Sequence, residues 1–321
     1  MKKSIEVTSI GDINIDILAS SLKKFPRIEE QILLDNLVIT SGGCAANFAK
    51  ALSRLGVGIR LIGAIGNDFW KDFIFQELRG VDLKLKSINA KSGTTLILTF
   101  PNARKSFLTF PGSNSFLELS KIDRKLIEGK FLHISSFFLQ GLREKTKELI
   151  RYAKKKSIKV SLDPGLDPKC WSKNDELLAE EILADGVDIF FSNLREAKAI
   201  TGFRSVKRIA KELCSLGAKI VVIKMGERGC FISTEEEKIE ISGFKVNAID
   251  TTGAGDVFDA AFIFSLLKGF PLKDAGIFAN ASAAISTLGY GSSNYPTLSE
   301  VTNFLKRRGY SFRRISLEKR T

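Results

Sequence analysis

The run Phe131-Leu132-His133-Ile134-Ser135 opens a series of four apolar segments whose spacing decides the fold. Comparable runs begin at Ile158, Val187 and Lys219, at intervals of 27, 29 and 32 residues, and each interval holds one strand and one returning helix. The intervening segments have helical period. Residues 144–156 set Leu149, Ile150 and Ala153 against a lysine-rich outer face, and Val206, Ile209, Ala210 and Leu213 recur at helical spacing ahead of Gly217. Such repeats specify a parallel sheet covered by helices, because the crossover between parallel neighbours is right-handed.

Outside this core the rhythm changes. Segments 15–19, 32–39, 94–100 and 105–110 have strand character with no helix between them, which predicts a small β-layer added to the α/β body. Segments 257–267 and 275–288 are apolar almost all round and are expected to be buried helices. The sequence shows no internal repeat and no low-complexity linker. One α/β domain over residues 1–321 follows, with lid strands inserted from about 15–40 and 90–112 and a basic tail at 304–321.

Composition removes several chemistries. With 44% hydrophobic residues the chain folds as a compact body. Its one histidine, His133, excludes multi-histidine metal centres and, lying in an apolar strand, reads as structural and not as a catalytic base. Cys44, Cys170, Cys214 and Cys230 are widely separated and form no C-x-x-C pair, so a reducing compartment is expected. No run approaches the roughly 18 apolar residues that span a bilayer, which predicts a cytoplasmic protein away from membranes. The net charge of +13 comes from 49 basic and 36 acidic residues. In the tail, Lys306, Arg307, Arg308, Arg313, Arg314, Lys319 and Arg320 against Glu318 give seven minus one, or +6, so almost half of the excess is terminal.

Neither a G-x-x-x-x-G-K-[ST] loop nor a G-x-G-x-x-G turn is present, so a nucleotide would need another anion site. Asp250-Thr251-Thr252-Gly253-Ala254-Gly255-Asp256 supplies one, since its small residues lead straight into an apolar helix whose first amides are free to bind phosphate. Asp256 then reads either as a group that takes an alcohol proton or as a helix N-cap. In Gly42-Gly43-Cys44-Ala45-Ala46-Asn47 two glycines precede a helix ended by Gly56, and Asn47 offers a donor and an acceptor to a polyol, or the stretch is a plain β-to-α turn. Gly11-Asp12-Ile13-Asn14-Ile15-Asp16 places Asp12, Asn14 and Asp16 on one face at the expected end of the first strand, where ligands of open α/β sheets bind.

Together these stretches resemble the ribokinase family, the PfkB carbohydrate kinases. The family's N-terminal signature fits from Gly42-Gly43 through Asn47 and Ala49 to Gly56 and Gly66, and its C-terminal signature fits from Asp250 to Ile263. Asn193-Leu194-Arg195-Glu196, Lys224-Met225-Gly226-Glu227-Arg228-Gly229 and Phe278-Ala279-Asn280-Ala281 fall at further family segments, so the likeness covers nearly the whole chain. It implies a ribokinase-like three-layer α/β/α sandwich with a mostly parallel central sheet and a small β-strand lid.

The resemblance also implies ATP-dependent, Mg2+-dependent phosphorylation of a sugar or polyol hydroxyl. Asp256, expected to have an ordinary carboxylate pKa, becomes the general base, and the amides of Gly253, Ala254 and Gly255 form the anion hole. Asn14, Asp16, Gly42, Gly43 and Asn47 match sugar-binding positions. Asn193, Lys224, Gly226, Gly229 and Asn280 match nucleotide positions, although many relatives have threonine where this chain has Lys224. Glu196 and Asn193 match the element that holds Mg2+ through water; a polar helix start is the plainer alternative. Some members bind a monovalent cation such as K+ through the region of Asp250 and Thr252 and the loop near Gly291-Ser292-Ser293. Phe107 and Phe110 are lid candidates to cover the substrate or pair two copies, and a homodimer through the lid is expected. Relatives that act on 2-keto-3-deoxygluconate often carry an arginine just after an Asp-Pro pair, which Asp163-Pro164-Gly165-Leu166-Asp167-Pro168-Lys169 lacks. A neutral sugar or polyol is therefore expected, with a nucleoside or phosphosugar as the alternative. An inactive kinase fold that binds nucleic acid through the tail is a reading of another class, opposed by the intact Asp256 motif.

Overall fold

The computed structural model describes residues 3–310 apart from 21, 102, 103, 119–121, 137–142 and 166. Its strands are β1 (Val7–Ile10), β2 (Asn14–Ser20), β3 (Asn36–Gly42), β4 (Ile59–Gly66), β5 (Asp82–Ile88), β6 (Gly93–Phe100), β7 (Arg104–Phe110), β8 (Phe131–Ser135), β9 (Lys159–Asp163), β10 (Ile189–Asn193), β11 (Ile220–Lys224), β12 (Cys230–Ser233) and β13 (Lys238–Ile241). The helices are α1 (Cys44–Arg54), α2 (Trp70–Glu77), α3 (Thr146–Lys155), α4 (Lys173–Ala184), α5 (Leu194–Thr201), α6 (Val206–Ser215), α7 (Ala254–Leu267), α8 (Leu272–Ser286) and α9 (Leu298–Lys306).

Nine strands form the body sheet in the order β13-β12-β11-β10-β9-β8-β1-β4-β5. All neighbours are parallel except β11–β12 and β12–β13, so the four runs that begin at Phe131 become adjacent parallel strands. Alternation along β8 divides the core. Phe131 joins the cluster with α1, α7 and α8, while Leu132 and Ile134 join the cluster with α3, α4 and α6 on the other face. These helices make the outer two of three layers. The chain leaves β1 toward β4 on one side and returns at β8 on the other, and this reversal opens a crevice at the carboxyl ends of the strands.

The lid is a separate sheet in the order β3-β2-β6-β7. All four strands expected there are present, although the second begins at Asn36 and not near 32. One expectation is corrected: β1 stops at Ile10, and Asn14 and Asp16 lie on β2 of the lid instead of at the end of the first strand. A bend at Gly11 causes the change of sheet, and Asn114 clamps the corner by accepting from the Ile13 amide at 3.0 Å and donating to its carbonyl at 3.2 Å. β5 and the antiparallel pair β12–β13 had not been anticipated; Leu83 and Leu85 of β5 are only half-buried at a sheet edge.

His133 is structural. It is buried, stacks on Phe48 at 3.8 Å between ring centroids, and its Nδ1 lies 2.9 Å from Ser161 Oγ. Burial lowers its pKa to about 3, so it stays neutral. Among the described residues, no helix is long and apolar enough to cross a membrane. Phe191 is fully buried and packs edge-on against both His133 and Phe262. Phe191→Ala is expected to cost about 3–5 kcal/mol, read as a lower urea midpoint with an unchanged m-value.

Candidate active site

Helix α7 is buried from Val257 to Ser265, and its first turn faces the crevice. Gly253 caps it with φ 72°, a left-handed conformation that favours glycine, and a Cβ there would stand 2.1 Å from the Tyr295 hydroxyl. The Ala254 amide donates to the Thr251 carbonyl at 3.3 Å, and the next first-turn amides have no carbonyl within the helix to bond, which leaves partial positive charge at this helix end. α1 starts in the same way: Gly43 has φ 88°, and a Cβ would meet the Asp12 carbonyl at 2.6 Å. Asp12 Oδ1 accepts the Ala45 amide at 3.3 Å and fixes that helix start.

The two glycine motifs meet across 209 residues of sequence. Asn47 Nδ2 donates to Asp256 Oδ2 at 2.9 Å, in front of the α7 N-terminus. Gly42 lies against the Asp16 carboxyl group. Asn14 and Asp16 share one face of β2, where Asn14 accepts from Asn114 Nδ2 at 2.8 Å and donates to Thr95 Oγ1 at 3.4 Å. Phe107 and Phe110 are about half exposed on the edge strand β7.

Lys224, at the end of β11, is bonded to Asp163 and lies 2.9 Å from Asp259 Oδ2. Its ammonium is the buried counter-charge beside Gly255. Gly226 and Gly229 shape the turn that follows β11. Asn280 of α8 reaches the same corner, donating to the Ser242 carbonyl at 3.4 Å next to Gly243, which packs on Gly229. Asn193 and Glu196 form a reciprocal capping box at the start of α5, so the polar helix start is realised. Glu196 is also buried, and burial followed by the nearby Asp163 charge pushes it up to about 8. Asp163, Glu196, Asp256 and Asp259 thus all feel one lysine, but among the described residues no three acidic, histidine or cysteine side chains converge as direct metal ligands, so Mg2+ would be held here through water.

Asp250 and Thr252, the pair expected to meet a monovalent cation, are bonded to the ammonium of Lys105 from β7. The sequence reasoning had not singled out Lys105, Asp259 or Tyr295. A charged residue inside the apolar run Phe258-Asp259-Ala260-Ala261-Phe262 was a usable signal, because a buried carboxyl needs a partner. Residues 311–321 of the basic tail lie outside the described residues.

The electrostatics correct the expected pKa of Asp256. Burial pushes it up to about 7, with Lys224 and Asn47 opposing and Asp163 and Asp12 adding. Burial likewise raises Asp12 to about 6 and Asp16 to about 8. The folded chain keeps these protons where the unfolded chain has released them, so stability falls as pH rises through that window. His133 acts oppositely, but only below about pH 6.5, where the unfolded chain gains a proton that the folded chain refuses. In EDTA without nucleotide, the melting temperature is therefore expected to fall between pH 6.5 and 8. Each proton involved contributes up to about 1.4 kcal/mol per pH unit, and Asp16→Asn should flatten the slope; an unchanged slope in that variant would contradict the assignment.

Residues 4–298 match the pfkB family carbohydrate kinase. The chain is 30% identical over 320 residues to the ribokinase of Haemophilus influenzae, covering 95% of this chain and 99% of that one. It is 28% identical over 323 residues to the 5-dehydro-2-deoxygluconokinase of Clostridium perfringens, covering 95% and 94%. The crystal structure of a ribokinase from Thermotoga maritima matches with a TM-score of 0.80 at 28% identity, covering 94% of this chain and 100% of that chain. The likeness runs from the first body strand to the start of α9, and the chain belongs to the pfkB family of carbohydrate kinases.

Proposed function

We infer that this carbohydrate kinase moves the γ-phosphoryl group of ATP to a hydroxyl of a small neutral sugar or polyol, with Asp256 as general base and the amides of Gly253, Ala254 and Gly255 as the anion hole. The observation that carries this reading is the 2.9 Å bond from Asn47 to Asp256. It ties a polyol-binding turn to a carboxylate at a phosphate-binding helix end. Asn47 holds Asp256 Oδ2 and leaves Oδ1 to receive the hydroxyl proton. A base with a pKa of about 7 is well matched to neutral pH. In a loose phosphoryl-transfer transition state Asp256 takes the proton late, and the fixed amides stabilise charge on the moving group.

Asn14, Asp16, Gly42, Gly43 and Asn47 orient the sugar. Lys224, Gly226, Gly229 and Asn280 bound the nucleotide side, where Lys224 acts through its buried charge because its hydrogen bonds go to Asp163 and Asp259. Glu196 and Asn193 would hold Mg2+ through water. Mg2+ held there would supply positive charge to neutralise the phosphates. An uncharged acceptor is supported by the absence of an arginine after Asp163-Pro164 and is in keeping with relatives named ribokinase and deoxyribokinase.

The lid supports pairing with a second copy. Its edge strands β3 and β7 expose Leu37, Ile39, Phe107, Leu108 and Phe110, a concentration of apolar side chains unusual on a monomer. Light scattering is expected to give a dimer that Phe107→Asp with Leu108→Asp converts to monomer.

ADP release should be measured over pentoses, deoxypentoses, hexoses, keto-deoxy acids and nucleosides with Mg-ATP. Turnover is expected with a neutral sugar, and turnover confined to nucleosides or acids would overturn the acceptor assignment. Asp256→Asn should lower kcat roughly 10²–10⁴-fold with little change in sugar affinity.

A further inference from the structure

Lys105 leaves the edge strand β7 and crosses from the lid into the body. Its side chain is only 5% exposed and that of Asp250 only 1%. The ammonium bonds Asp250 Oδ1 and donates to Thr252 Oγ1 at 2.5 Å, while the threonine hydroxyl donates onward to Asp250 Oδ1 at 2.7 Å. The remaining capacity of Asp250 is also used. Oδ1 accepts the Thr252 amide at 2.9 Å, and Oδ2 accepts the Gly291 amide at 2.6 Å. This small network sets the turn that ends at Gly253, the cap of α7 and the start of the anion hole.

A monovalent cation at Asp250 and Thr252 does not fit this donor set. The lysine already brings one positive charge, and it takes the carboxylate and hydroxyl oxygens that a potassium ion would use. Against burial, which acts upward, Lys105 and the two amides hold Asp250 below the usual carboxylate range, while burial lowers Lys105 against the pull of Asp250 and Asp16. The nearest further acid, Asp16, also feels the lysine, which places this charge between the sugar-binding strand and the anion-hole turn.

We propose that Lys105 is a positioning residue that serves as the built-in cation of the Asp250–Thr252 turn, ordering the anion hole from the lid and freeing phosphoryl transfer from any need for a monovalent ion. Lid closure and assembly of the hole then share one contact, since the lysine travels with β7 and the turn belongs to the body. This rests on the kinase reading for its activity test, and a binding test separates the two.

The experiment compares the wild type with Lys105→Met and Lys105→Arg at constant ionic strength in KCl, in methylammonium chloride and in tetramethylammonium chloride. ADP release is followed with whichever sugar the panel shows to be accepted, and Mg-AMP-PNP affinity is followed by calorimetry. The wild type should behave alike in the three salts. In tetramethylammonium, Lys105→Met should lose about 10–100-fold in kcat and in nucleotide affinity, the size expected for a hydrogen-bonded charge, with the acceptor KM nearly unchanged. KCl or methylammonium should restore most of both losses, and Lys105→Arg should need neither ion. Several outcomes would overturn the proposal: a wild type strongly activated by K+, a Lys105→Met protein that keeps its activity in tetramethylammonium, losses that no cation restores in a variant still folded by circular dichroism, or a rise in acceptor KM at constant kcat, which would make Lys105 a sugar ligand. Should Lys105→Met fail to fold, the salt response of the wild type and of Lys105→Arg decides. If no sugar is turned over, the function fails, while the calorimetric arm still tests the lysine.

Discussion

The first turn of α7 is the fixed point of the molecule. The helix is buried from Val257 to Ser265 and packs against α1, α8 and the sheet, so its direction is set by packing. Amides that end such a helix cannot turn away when charge develops in front of them, and this rigidity is what an anion hole requires. The same burial has an electrostatic cost. Asp256 and its neighbours are removed from water together, which raises the free energy of every ionised carboxyl around the turn.

Two lysines offset that cost in different ways. Lys224 belongs to the body and is held by Asp163 and by Asp259, a carboxyl group that burial drives well above its usual pKa while the lysine opposes the shift. Against burial, Lys224 holds Asp163 ionised. This charge is present whatever the lid does. Lys105 comes from the lid, on β7, and its charge is set against the body turn at Asp250 and Thr252. A permanent counter-ion and a delivered one therefore share a single cleft.

Much of this was legible in the sequence. Four apolar runs at near-constant spacing were enough for the parallel body sheet, and strand segments without helices between them marked the lid. The glycine turns before α1 and α7 pointed to backbone amides as the binding surface. What escaped were contacts that no local pattern encodes. The lysine at 105 and the aspartate at 250 are 145 residues apart, and those at 224 and 163 are 61 apart. Tyr295 gives no signal at all, since its importance lies only in filling the space left by a distant glycine. The corner at Gly11 was misjudged because alternation continues through it, while the chain passes from one sheet to another.

The lid is built from two excursions of the chain, β2–β3 and β6–β7, joined by the parallel pairing of Asn14 with Gly93 and onward to Ala19 with Leu98. Closing a loop of this length costs entropy that is recovered only once the strands pair. The lid sheet is complete only when the two excursions meet. Until it forms, β2 and β6 lack each other and expose unpaired backbone at apolar edges, which makes the nascent chain prone to aggregation at the stage when it cannot yet bind a sugar. Pairing of β2 with β6 thus satisfies the inner strand edges and brings Asn14 and Asp16 into place in one step, while β3 and β7 remain the edges of the sheet.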